Sequence, residues 1–462
     1  MIALSAPTRV GVVATALVLL AVSGAPAGAV APPQVDPQAT PPAGSAGPVE
    51  PMAQRSDCTA TGVLPGTEPG AVTASQASLG LPEAWQHSRG DGQLVAVLDT
   101  GVTPGPRLPV VEAGGDLVAD TDGLTDCDGH GTLVAGLIAG QPGPDGFSGV
   151  APGARLLSIR QSSAHYAPRS LGEDPALAQA VVAVDTLARA VVRAADQGAR
   201  VITISVATCI PAGADVDQSA LGAALRYAAV DKDAVIVAAA GDTSRGMFTG
   251  TACDSNPLGD VARPGDPRNW DGATTLSVPS WWQPYVLSVG AVGPGGQATS
   301  FTMAGPWVGV AAPGEGISSV SNAEGGGLAN GMPDNQKGLV PISGTGYAAA
   351  YASGVAALVR SRFPDLNARQ VIDRITATAH GAARAPSNLV GAGSIDPLAA
   401  LTWNVPAAAD TDPAAVREIA APLPPLPPDP IPRIIAFTGA GVLALLVLVT
   451  VVVSRKRKDP TP

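Results

Sequence analysis

The sequence predicts an α/β fold in which a parallel β-sheet is flanked by helices. The first observation is a set of short apolar runs, typical of strands buried on both faces, at 94–98, 201–206 and 235–240. The second is a set of apolar helical patterns that alternate with these runs, at 130–139, 178–195 and 221–229. Because alternating strands and helices form parallel sheets, active-site residues are expected at the carboxyl ends of the strands.

The composition agrees with a folded protein that has a large core. The chain has 462 residues, of which 46% are hydrophobic and 14% are charged. This apolar content excludes a mostly disordered chain, and the length is ample for a large core. The formal net charge of −11 argues against nucleic acid as the main partner.

The N-terminus has the pattern of a secretory signal peptide. Arg9 precedes an apolar run over 10–22, and the small residues at 27–29 form a cleavage pattern. The apolar run is too short for a comfortable membrane span. An uncleaved anchor is the alternative, since the two patterns are similar.

The C-terminus has the pattern of a membrane anchor. Residues 434–453 form an apolar run without a charge, long enough to cross a bilayer. Basic residues at 455–458 follow at once and predict that this end is cytoplasmic. The chain is therefore expected to be inserted in the membrane by one span, with its main domain outside the cytoplasm. A buried core helix is the alternative, but core helices rarely end in four basic residues.

Two proline-rich segments without a hydrophobic period divide the chain. The first, 32–52, predicts a linker or extension, and the second, 406–432, predicts a stiff stalk above the membrane. The predicted organisation, in chain order, is a signal peptide over 1–31, an N-terminal extension over 32–74, the main domain over 75–403, a stalk over 404–433, a transmembrane helix over 434–453 and a basic tail over 454–462.

The chain has four cysteines: Cys58, Cys127, Cys209 and Cys253. An even number in an exported chain predicts two disulfides, and three pairings are open. Their spacing matches no zinc motif, so no metal or other cofactor is expected.

Three segments place reactive residue types at the ends of predicted elements. Residues 95–102 end a buried strand in the carboxylate of Asp99. Residues 128–136 put His130 at the start of an apolar helix, and residues 343–350 form a glycine-rich turn that opens another helix. A histidine that takes the proton of a serine hydroxyl, oriented by a buried carboxylate, is the arrangement that activates a nucleophile.

The order of these segments, carboxylate, then histidine, then helix-opening turn, resembles that of the subtilisin-type serine proteases. The resemblance covers residues 75–403 and extends to family-like loops and strands at 149–154, 201–205 and 311–314. It implies a subtilisin-like parallel sheet, with Asp99 and His130 as the catalytic carboxylate and base.

A narrower resemblance is to the mycosins, the membrane-anchored proteases of actinobacterial type VII secretion. It is carried by the segment 126–132, which reads Asp-Cys-Asp-Gly-His-Gly-Thr, by the cysteine-bearing extension and by the proline-rich stalk with one span. It implies a type VII secretion membrane complex as the partner, and a peptide or protein as the ligand.

The chain departs from the family at the positions that carry the chemistry. Gly346 stands where the family has its nucleophilic serine, and Ala350 replaces a usual proline. Asp242 stands where the family has an asparagine whose amide holds the oxyanion, and an ionised carboxylate cannot donate a hydrogen bond. Loss of the serine alone typically lowers turnover by about 10⁶-fold.

Two nearby residues carry a hydroxyl. Ser343 precedes the turn, so it is expected to bond backbone rather than to serve as a nucleophile. Tyr347 is expected to point along the helix. Asp99 and His130 are expected to remain as a hydrogen-bonded pair that no longer acts on a nucleophile.

We predict the disulfides Cys58–Cys127 and Cys209–Cys253. The first would attach the extension beside the loop that carries His130. The second would close a long loop after the strand at 201–206.

Several carboxylates crowd one loop, and a solvated acidic loop is favoured for them. Calcium is the alternative, although their spacing is not that of an EF-hand. The residues are Asp116, Asp120, Asp122, Asp126 and Asp128.

The leading hypothesis is a non-catalytic, mycosin-like protein that scaffolds or regulates a type VII secretion complex. One alternative is an active serine endopeptidase that uses Ser343 or weakened chemistry. A further alternative is an inactive decoy that binds peptide in the cleft.

Overall fold

The structure, a computed structural model, describes most of the chain. The described residues are 30–170, 174–243, 253–260, 262–263, 265–334, 338–383, 385–406 and 431–456. Most of the predicted signal peptide, most of the predicted stalk and the end of the predicted basic tail lie outside them. The chain divides into two compact units, 1–414 and 415–462.

The strands of the first unit are short, as expected for an α/β protein. In chain order they are β1 (Met52–Gln54), β2 (Leu94–Asp99), β3 (Val111–Asp116), β4 (Arg155–Arg160), β5 (Tyr166–Pro168), β6 (Val201–Ile204), β7 (Thr208–Pro211), β8 (Val235–Ala239), β9 (Thr275–Val278), β10 (Val286–Val292), β11 (Val308–Pro313), β12 (Ser319–Val320), β13 (Leu328–Ala329), β14 (Gly331–Pro333), β15 (Leu339–Pro341), β16 (His380–Gly381) and β17 (Gly393–Ser394).

The central sheet is almost entirely parallel. Across the sheet the strand order is β16-β17-β11-β10-β8-β6-β2-β4-β3. Every described neighbouring pair in it is parallel except β16–β17 at one edge. The prediction of an α/β fold with a parallel sheet is therefore confirmed. Because β2 and β6 are parallel neighbours, with Leu98 opposite Ile204, their carboxyl ends lie side by side.

Helices cover both faces of this sheet. In chain order the helices are α1 (Ala74–Ala77), α2 (Leu81–Ala84), α3 (His130–Ala139), α4 (Pro175–Asp196), α5 (Ser219–Arg226), α6 (Thr345–Arg362), α7 (Ala368–Thr378), α8 (Pro397–Thr402) and α9 (Ile431–Lys456). Helices α3 and α6 pack on one face, together with Val95 and Val97 of β2. Helices α4 and α5 pack on the other face, together with Ala96 and Leu98. Since successive side chains of a strand point to opposite faces, β2 contributes to both cores and is buried throughout.

The predicted elements occur with small shifts at their ends. Helix α3 has the predicted bounds. Helix α4 begins earlier than predicted because Asp174 caps it, accepting a hydrogen bond from the backbone N–H of Leu177, and Pro175 opens its first turn. Helix α5 ends earlier than predicted, and the chain continues as a π-helical turn, Tyr227–Asp231.

Two long helices, one in each unit, are strongly apolar. Among the described residues, α4 is long and apolar enough to cross a membrane, with a mean hydropathy of 1.4, but 44% of that stretch is buried in the first unit. Its apolar side packs in the core of the domain. Helix α9, in the second unit, covers the predicted span 434–453 and has an apolar stretch at Thr438–Thr450.

The N-terminal extension is docked on the first unit rather than free. Strand β1 pairs antiparallel with β5. The backbone N–H of Gly47 donates to the carbonyl of Asp116 at 2.7 Å, and that of Gly62 donates to the carbonyl of Gly331 at 2.9 Å. Of the two alternatives for 32–52, a linker or an extension, these contacts favour an extension bound to the domain.

Two disulfides join the four cysteines in the predicted pairing. Cys58 is bonded to Cys127, with a sequence separation of 69, and Cys209 to Cys253, with a separation of 44. The first attaches the extension to the loop that precedes His130. The backbone N–H of Thr59 also donates to the carbonyl of Cys127 at 2.9 Å, which adds to this attachment.

Replacing both cysteines of one pair by serine is expected to lower the free energy of unfolding by about 4 kcal/mol for either pair, because each closes a long loop. The two variants should differ in local effect. Only the loss of Cys58–Cys127 should speed amide hydrogen exchange in the extension, and the matched Cys209–Cys253 variant should not. Equal protection of residues 52–62 in both variants would show that the extension docks without its disulfide.

Candidate active site

Asp99 and His130 form a buried hydrogen-bonded pair at the carboxyl edge of the sheet. Asp99 is the last residue of β2, and His130 is the first residue of α3. Nδ1 of His130 lies 2.8 Å from Oδ1 of Asp99 and 3.0 Å from Oδ2. Asp99 is fully buried and His130 is 6% exposed. The two residues that the sequence singled out are therefore brought together.

Two further donors hold the carboxylate of Asp99. The backbone N–H of Thr100 donates to Oδ1 at 2.7 Å. The hydroxyl of Ser205 donates to Oδ2. Ser205 directly follows β6, so the parallel pairing of β2 with β6 brings it beside Asp99. The sequence reasoning missed this role of Ser205, although its position after a buried strand was a usable signal.

Helix α3 begins at His130 because the preceding loop is capped by a buried carboxylate. Oδ1 of Asp126 accepts from the backbone N–H groups of Asp128 and Gly129, at 3.1 and 2.8 Å. Oδ2 accepts from the N–H and the hydroxyl of Thr132, at 2.8 and 2.6 Å. The hydroxyl of Thr100 also donates to Oδ1, at 2.8 Å. Asp126 thus ties the end of β2 to the start of α3.

The pKa values of the pair favour charge on both side chains. Burial alone would raise the pKa of Asp99, but the charge of His130 and hydrogen bonds from His130, Ser205 and Thr100 lower it overall. Burial alone would lower the pKa of His130, but the charge and hydrogen bond of Asp99, with Asp126 and Asp128, raise it overall.

Tyr347 packs against the imidazole of His130. Their ring centroids are 5.0 Å apart, with the planes inclined at 45°. The sequence did not predict this contact. Burial raises the pKa of Tyr347 well above its usual value, so its hydroxyl stays protonated.

Gly346 faces His130 from the first turn of α6. A Cβ atom built on Gly346 would lie 3.3 Å from Nε2 of His130. It would also lie 2.5 Å from the carbonyl oxygen of Ser205, which is too close for a real contact. Gly346 has no positive φ angle, so a side chain at this position is opposed by the Ser205 carbonyl and not by backbone conformation. The position corresponds in space to a nucleophile that would bond His130.

Asp242 lies at the N-terminus of the same helix. It follows β8 by three residues, is half-buried, and its Oδ1 accepts from the backbone N–H of Thr345 at 3.0 Å. The hydroxyl of Thr345 accepts from the backbone N–H of Gly241 at 3.2 Å. Burial raises the pKa of Asp242 to about 6, and the hydrogen bonds of Thr345 and the charge of His130 oppose this rise.

Ser343 is exposed at the edge of the turn before α6. In the part of the chain that the structure describes, its hydroxyl makes no hydrogen bond, so the expected bond to backbone is absent. The pair that would activate a serine faces Gly346 instead.

The carboxylates of the acidic loop act as caps and ion-pair partners. Asp116 accepts from the guanidinium of Arg160 at 3.3 Å. Asp128 accepts from the hydroxyl of Ser163 at 2.6 Å and from the N–H of Ala164 at 2.7 Å. Over the described ranges, no three His, Cys, Asp or Glu residues are grouped so that they could hold a metal ion. The interpretation of a solvated loop is wrong for Asp116, Asp126 and Asp128, because these three are buried.

An apolar cavity of about 610 Å³ is lined in part by Val206, the residue that follows Ser205 in the chain. Val206 and Ala207, which follow Ser205, form one wall, and Leu177 and Ala180 of α4 form another. The described lining residues include three carboxylates and no lysine or arginine: Asp174, Asp215 and Asp254.

In the part of the chain that the structure describes, the arrangement retains an oriented base, and the position that faces it, Gly346, carries no hydroxyl. A subtilase triad needs the carboxylate, the histidine and a nucleophile on the helix opposite. The fold and the first two of these define the class of protein: a subtilisin-like serine protease scaffold. A model of the subtilase family matches residues 90–393.

Similar proteins place the chain in a narrower group within the subtilases. Mycosin-3 of Mycobacterium tuberculosis is 61% identical over 439 residues, which cover 94% of this chain and 95% of that protein. The structure of the MycP3 protease from the type VII (ESX-3) secretion system is 69% identical, with a TM-score of 0.78, and covers 81% of this chain and 100% of that one. A chain of an intact ESX-5 inner membrane complex is 46% identical, with a TM-score of 0.78, covering 93% and 100%. The chain belongs to the subtilase family and, within it, to the mycosins.

Asp242→Asn is expected to raise the free energy of unfolding by about 1–2 kcal/mol at pH 7.5. Burial raises the pKa of Asp242 from 3.8 to about 6, so folding disfavours the ionised form. A shift of about two units corresponds to roughly 3 kcal/mol, reduced here because the side chain is partly solvated. The wild type loses this stability as pH rises from below 3.8 through about 6, so the difference should vanish near pH 3 and be complete by about pH 7. Denaturant unfolding at several pH values measures it.

Asp145→Asn is a control of opposite sign. A hydrogen bond from Arg107 lowers the pKa of Asp145, so its charge stabilises the fold at neutral pH. Its replacement should cost up to about 1 kcal/mol at pH 7.5 and nothing near pH 2. If Asp242→Asn is no more stable than the wild type at pH 7.5, then burial does not destabilise the ionised carboxylate of Asp242.

Proposed function

We propose that the protein is a catalytically inactive mycosin that acts as a structural or regulatory component of a type VII secretion membrane complex. The observation that carries this proposal is Gly346, which faces Nε2 of His130 without a side chain. A base without a nucleophile cannot form an acyl-enzyme. Asp242 is an independent obstacle, because its ionised carboxylate opposes a developing oxyanion.

We propose the same membrane arrangement that the sequence predicts. Residues 1–31 act as a signal peptide, 32–74 as the extension, 75–403 as the subtilase domain and 404–433 as a stalk. Residues 434–453, within α9, cross the membrane, and 454–462 form the cytoplasmic tail. Support comes from the continuous helix Ile431–Lys456, which is long enough for one span.

The proposed partner is a type VII secretion membrane complex. Similar chains occur in the periplasmic assembly and in the intact form of an ESX-5 inner membrane complex. Similarity to those chains extends over 87% and 93% of this one. Similarity of this extent supports a shared role in such a complex, and it does not depend on the residue at position 346.

Peptide binding without cleavage is a second candidate function. The observation that favours it is the open apolar cavity that begins at Val206, next to the His130 centre. A pocket of this size with a few polar groups at its edge is typical of a ligand site. A peptide decoy would use this cavity, whereas a pure scaffold would not need it.

The first test combines assembly with reactivity. The tagged full chain is expected to co-purify in mild detergent with the type VII secretion membrane complex of its host. The purified protein should not react with a fluorophosphonate probe and should not hydrolyse peptides. Stoichiometric labelling mapped to Ser343, or to any other serine, would exclude the inactive state, and a monomeric preparation would exclude the complex.

The second test is a rescue of the chemistry. Gly346→Ser with Asp242→Asn is expected to restore probe labelling, because the serine Cβ would lie beside Nε2 of His130. The asparagine should restore an oxyanion donor worth about 3–4 kcal/mol, so Gly346→Ser alone should react about 10²-fold more slowly at pH 7.5. The serine must displace the carbonyl of Ser205, at a cost of about 1–3 kcal/mol in stability.

Gly346→Ala with Asp242→Asn is the matched control for the rescue. It makes the same steric demand on Ser205 without a hydroxyl, so it should fold with similar stability and remain unreactive. A folded double serine variant that neither reacts with the probe nor cleaves peptides would mean that Asp99 and His130 no longer form a catalytic frame.

A further inference from the structure

The disulfide Cys58–Cys127 joins an exposed cysteine to a buried one. Cys58 is exposed on the extension, whereas Cys127 is 2% exposed. The cysteines of the other disulfide are both less accessible than Cys58, because Cys209 is partly buried and Cys253 is 1% exposed. A thiolate opens a disulfide by attacking one of its sulfur atoms, so the rate depends on access to that atom. Of the two disulfides, Cys58–Cys127 is therefore the more open to attack, and the attacked atom is the sulfur of Cys58.

The surroundings of the sulfur atoms add to this difference. The sulfur of Cys209 lies 3.8 Å from Sδ of Met303, a fully buried side chain. A Cβ atom built on Gly241 would lie 3.1 Å from the sulfur of Cys253, so that atom is covered by backbone. The contact described for the sulfur of Cys58 is with Nε2 of Gln54, at 3.8 Å, on the exposed surface. A small thiol can therefore approach Cys58 without moving the core.

The residues on either side of Cys58 bind the segment that contains His165. The hydroxyl of Ser56 lies 2.7 Å from Nδ1 of His165, and the hydroxyl of Thr59 lies 3.3 Å from Nε2. The backbone N–H of Arg55 donates to the carbonyl of His165 at 2.7 Å. The disulfide holds residues 55–59 in place, so these contacts with His165 depend on it.

The other end of the disulfide lies in the loop that precedes His130. Cys127 stands between Asp126, which caps α3, and Asp128. The carboxylate of Asp128 accepts from Ser163 and Ala164, just before His165, and its Oδ1 lies 3.9 Å from Nε2 of His165. The disulfide therefore closes a ring of contacts that runs from the extension through His165 to this loop.

Another part of the extension is held without the disulfide. Nη1 of Arg193 donates to the carbonyl of Gly44 at 3.0 Å, and Nη2 of Arg189 donates to the hydroxyl of Ser45 at 2.6 Å. The N–H of Gly47 donates to the carbonyl of Asp116. Opening the disulfide should therefore act locally and leave the extension attached to α4.

We propose that Cys58 is a site of thiol–disulfide exchange, at which a thiolate opens the disulfide and loosens residues 55–59 from the loop that carries His130. The thiolate attacks Sγ of Cys58 and forms a new S–S bond with it. The Cys58–Cys127 bond breaks, its electron pair stays on Sγ of Cys127, and that sulfur takes up a proton from solvent. The inference does not depend on the proposed inactive state, since the exchange uses neither Asp99 nor Gly346.

The thiol determines the product. A monothiol stays on Cys58 as a mixed disulfide. A dithiol attacks its own sulfur in that mixed disulfide with its second thiolate, so that Cys58 leaves as a thiolate and the dithiol is oxidised to a cyclic disulfide. The net result with a dithiol is a two-electron reduction of Cys58–Cys127.

The first experiment locates the point of attack in the wild-type full chain in mild detergent. The protein is treated with dithiothreitol under native conditions, quenched with acid, alkylated in denaturant and mapped by mass spectrometry. Cys58 and Cys127 should become free about 10-fold faster than Cys209 and Cys253. With glutathione, the mixed disulfide should form on Cys58. Equal rates for the two disulfides, or glutathione found on Cys127, would overturn the proposed site.

The second experiment measures the loosening by amide hydrogen exchange on protein in which only Cys58–Cys127 is open. The amides of Arg55 and Thr59, which donate to the carbonyls of His165 and Cys127, should exchange roughly 10-fold faster than in the closed protein. The amide of Gly47 should keep its rate. Unchanged exchange at Arg55 and Thr59 would show that the disulfide does not hold the segment, and equal acceleration at Gly47 would show that opening is not local.

The double variant Cys58→Ser with Cys127→Ser should reproduce this pattern without a reductant. The matched control, Cys209→Ser with Cys253→Ser, should keep slow exchange at Arg55 and Thr59 until dithiothreitol is added. A control variant that exchanges fast at both amides before reduction would contradict the assignment of the clasp to Cys58–Cys127.

Discussion

The carboxylate of Asp126 is the constraint on which the rest of the site depends. It is buried and accepts hydrogen bonds from Thr100, after β2, and from the loop and first turn of α3. These bonds join the strand that ends in Asp99 to the helix that begins at His130. Burial raises the pKa of Asp126, and the bonds from Thr132 and Thr100 oppose that rise. A carboxylate so enclosed can hold its neighbours only while each N–H and hydroxyl stays in place, so it fixes the local geometry whether or not catalysis follows.

This dependence explains why Asp99 and His130 can stay paired without a nucleophile. Asp99 is fully buried, and removing its partner would leave an uncompensated charge inside the protein. Its contacts with His130 and Ser205 therefore stabilise the folded state whether or not the pair acts in catalysis. A serine hydroxyl at position 346 would be neutral, so its absence leaves no buried charge without a partner. The nucleophile can therefore be absent while Asp99 and His130 stay in place, because the buried charge of Asp99 needs its partner.

The sequence predicted the parts of this site that follow from element ends and missed those that follow from side-chain direction. Asp99 and His130 were predictable because one ends a buried strand and the other opens an apolar helix. The prediction of a solvated loop fails for Asp126, since acidity is visible in a sequence but the N–H groups that face it are not. The sequence leaves a linker and an extension open for 32–52, because docking depends on backbone hydrogen bonds such as that of Gly47, which leave no side-chain pattern. The contact of Tyr347 with His130 depends on side-chain direction, which the sequence does not predict.

The two substitutions differ in what they do to the charge of the cleft. Glycine at position 346, where the family has serine, removes a neutral hydroxyl, so the net charge of the cleft is unchanged. Asp242 adds a negative group beside the pair of Asp99 and His130, so the three together carry about one negative charge when all are ionised. This charge is partly buried and therefore screened less than one at the surface. The missing hydroxyl at position 346 and the carboxylate at position 242 are therefore independent departures from the family pattern. Because the carboxyl group of Asp242 accepts from the N–H of Thr345, the charge at the N-terminus of α6 depends on the protonation of this one side chain.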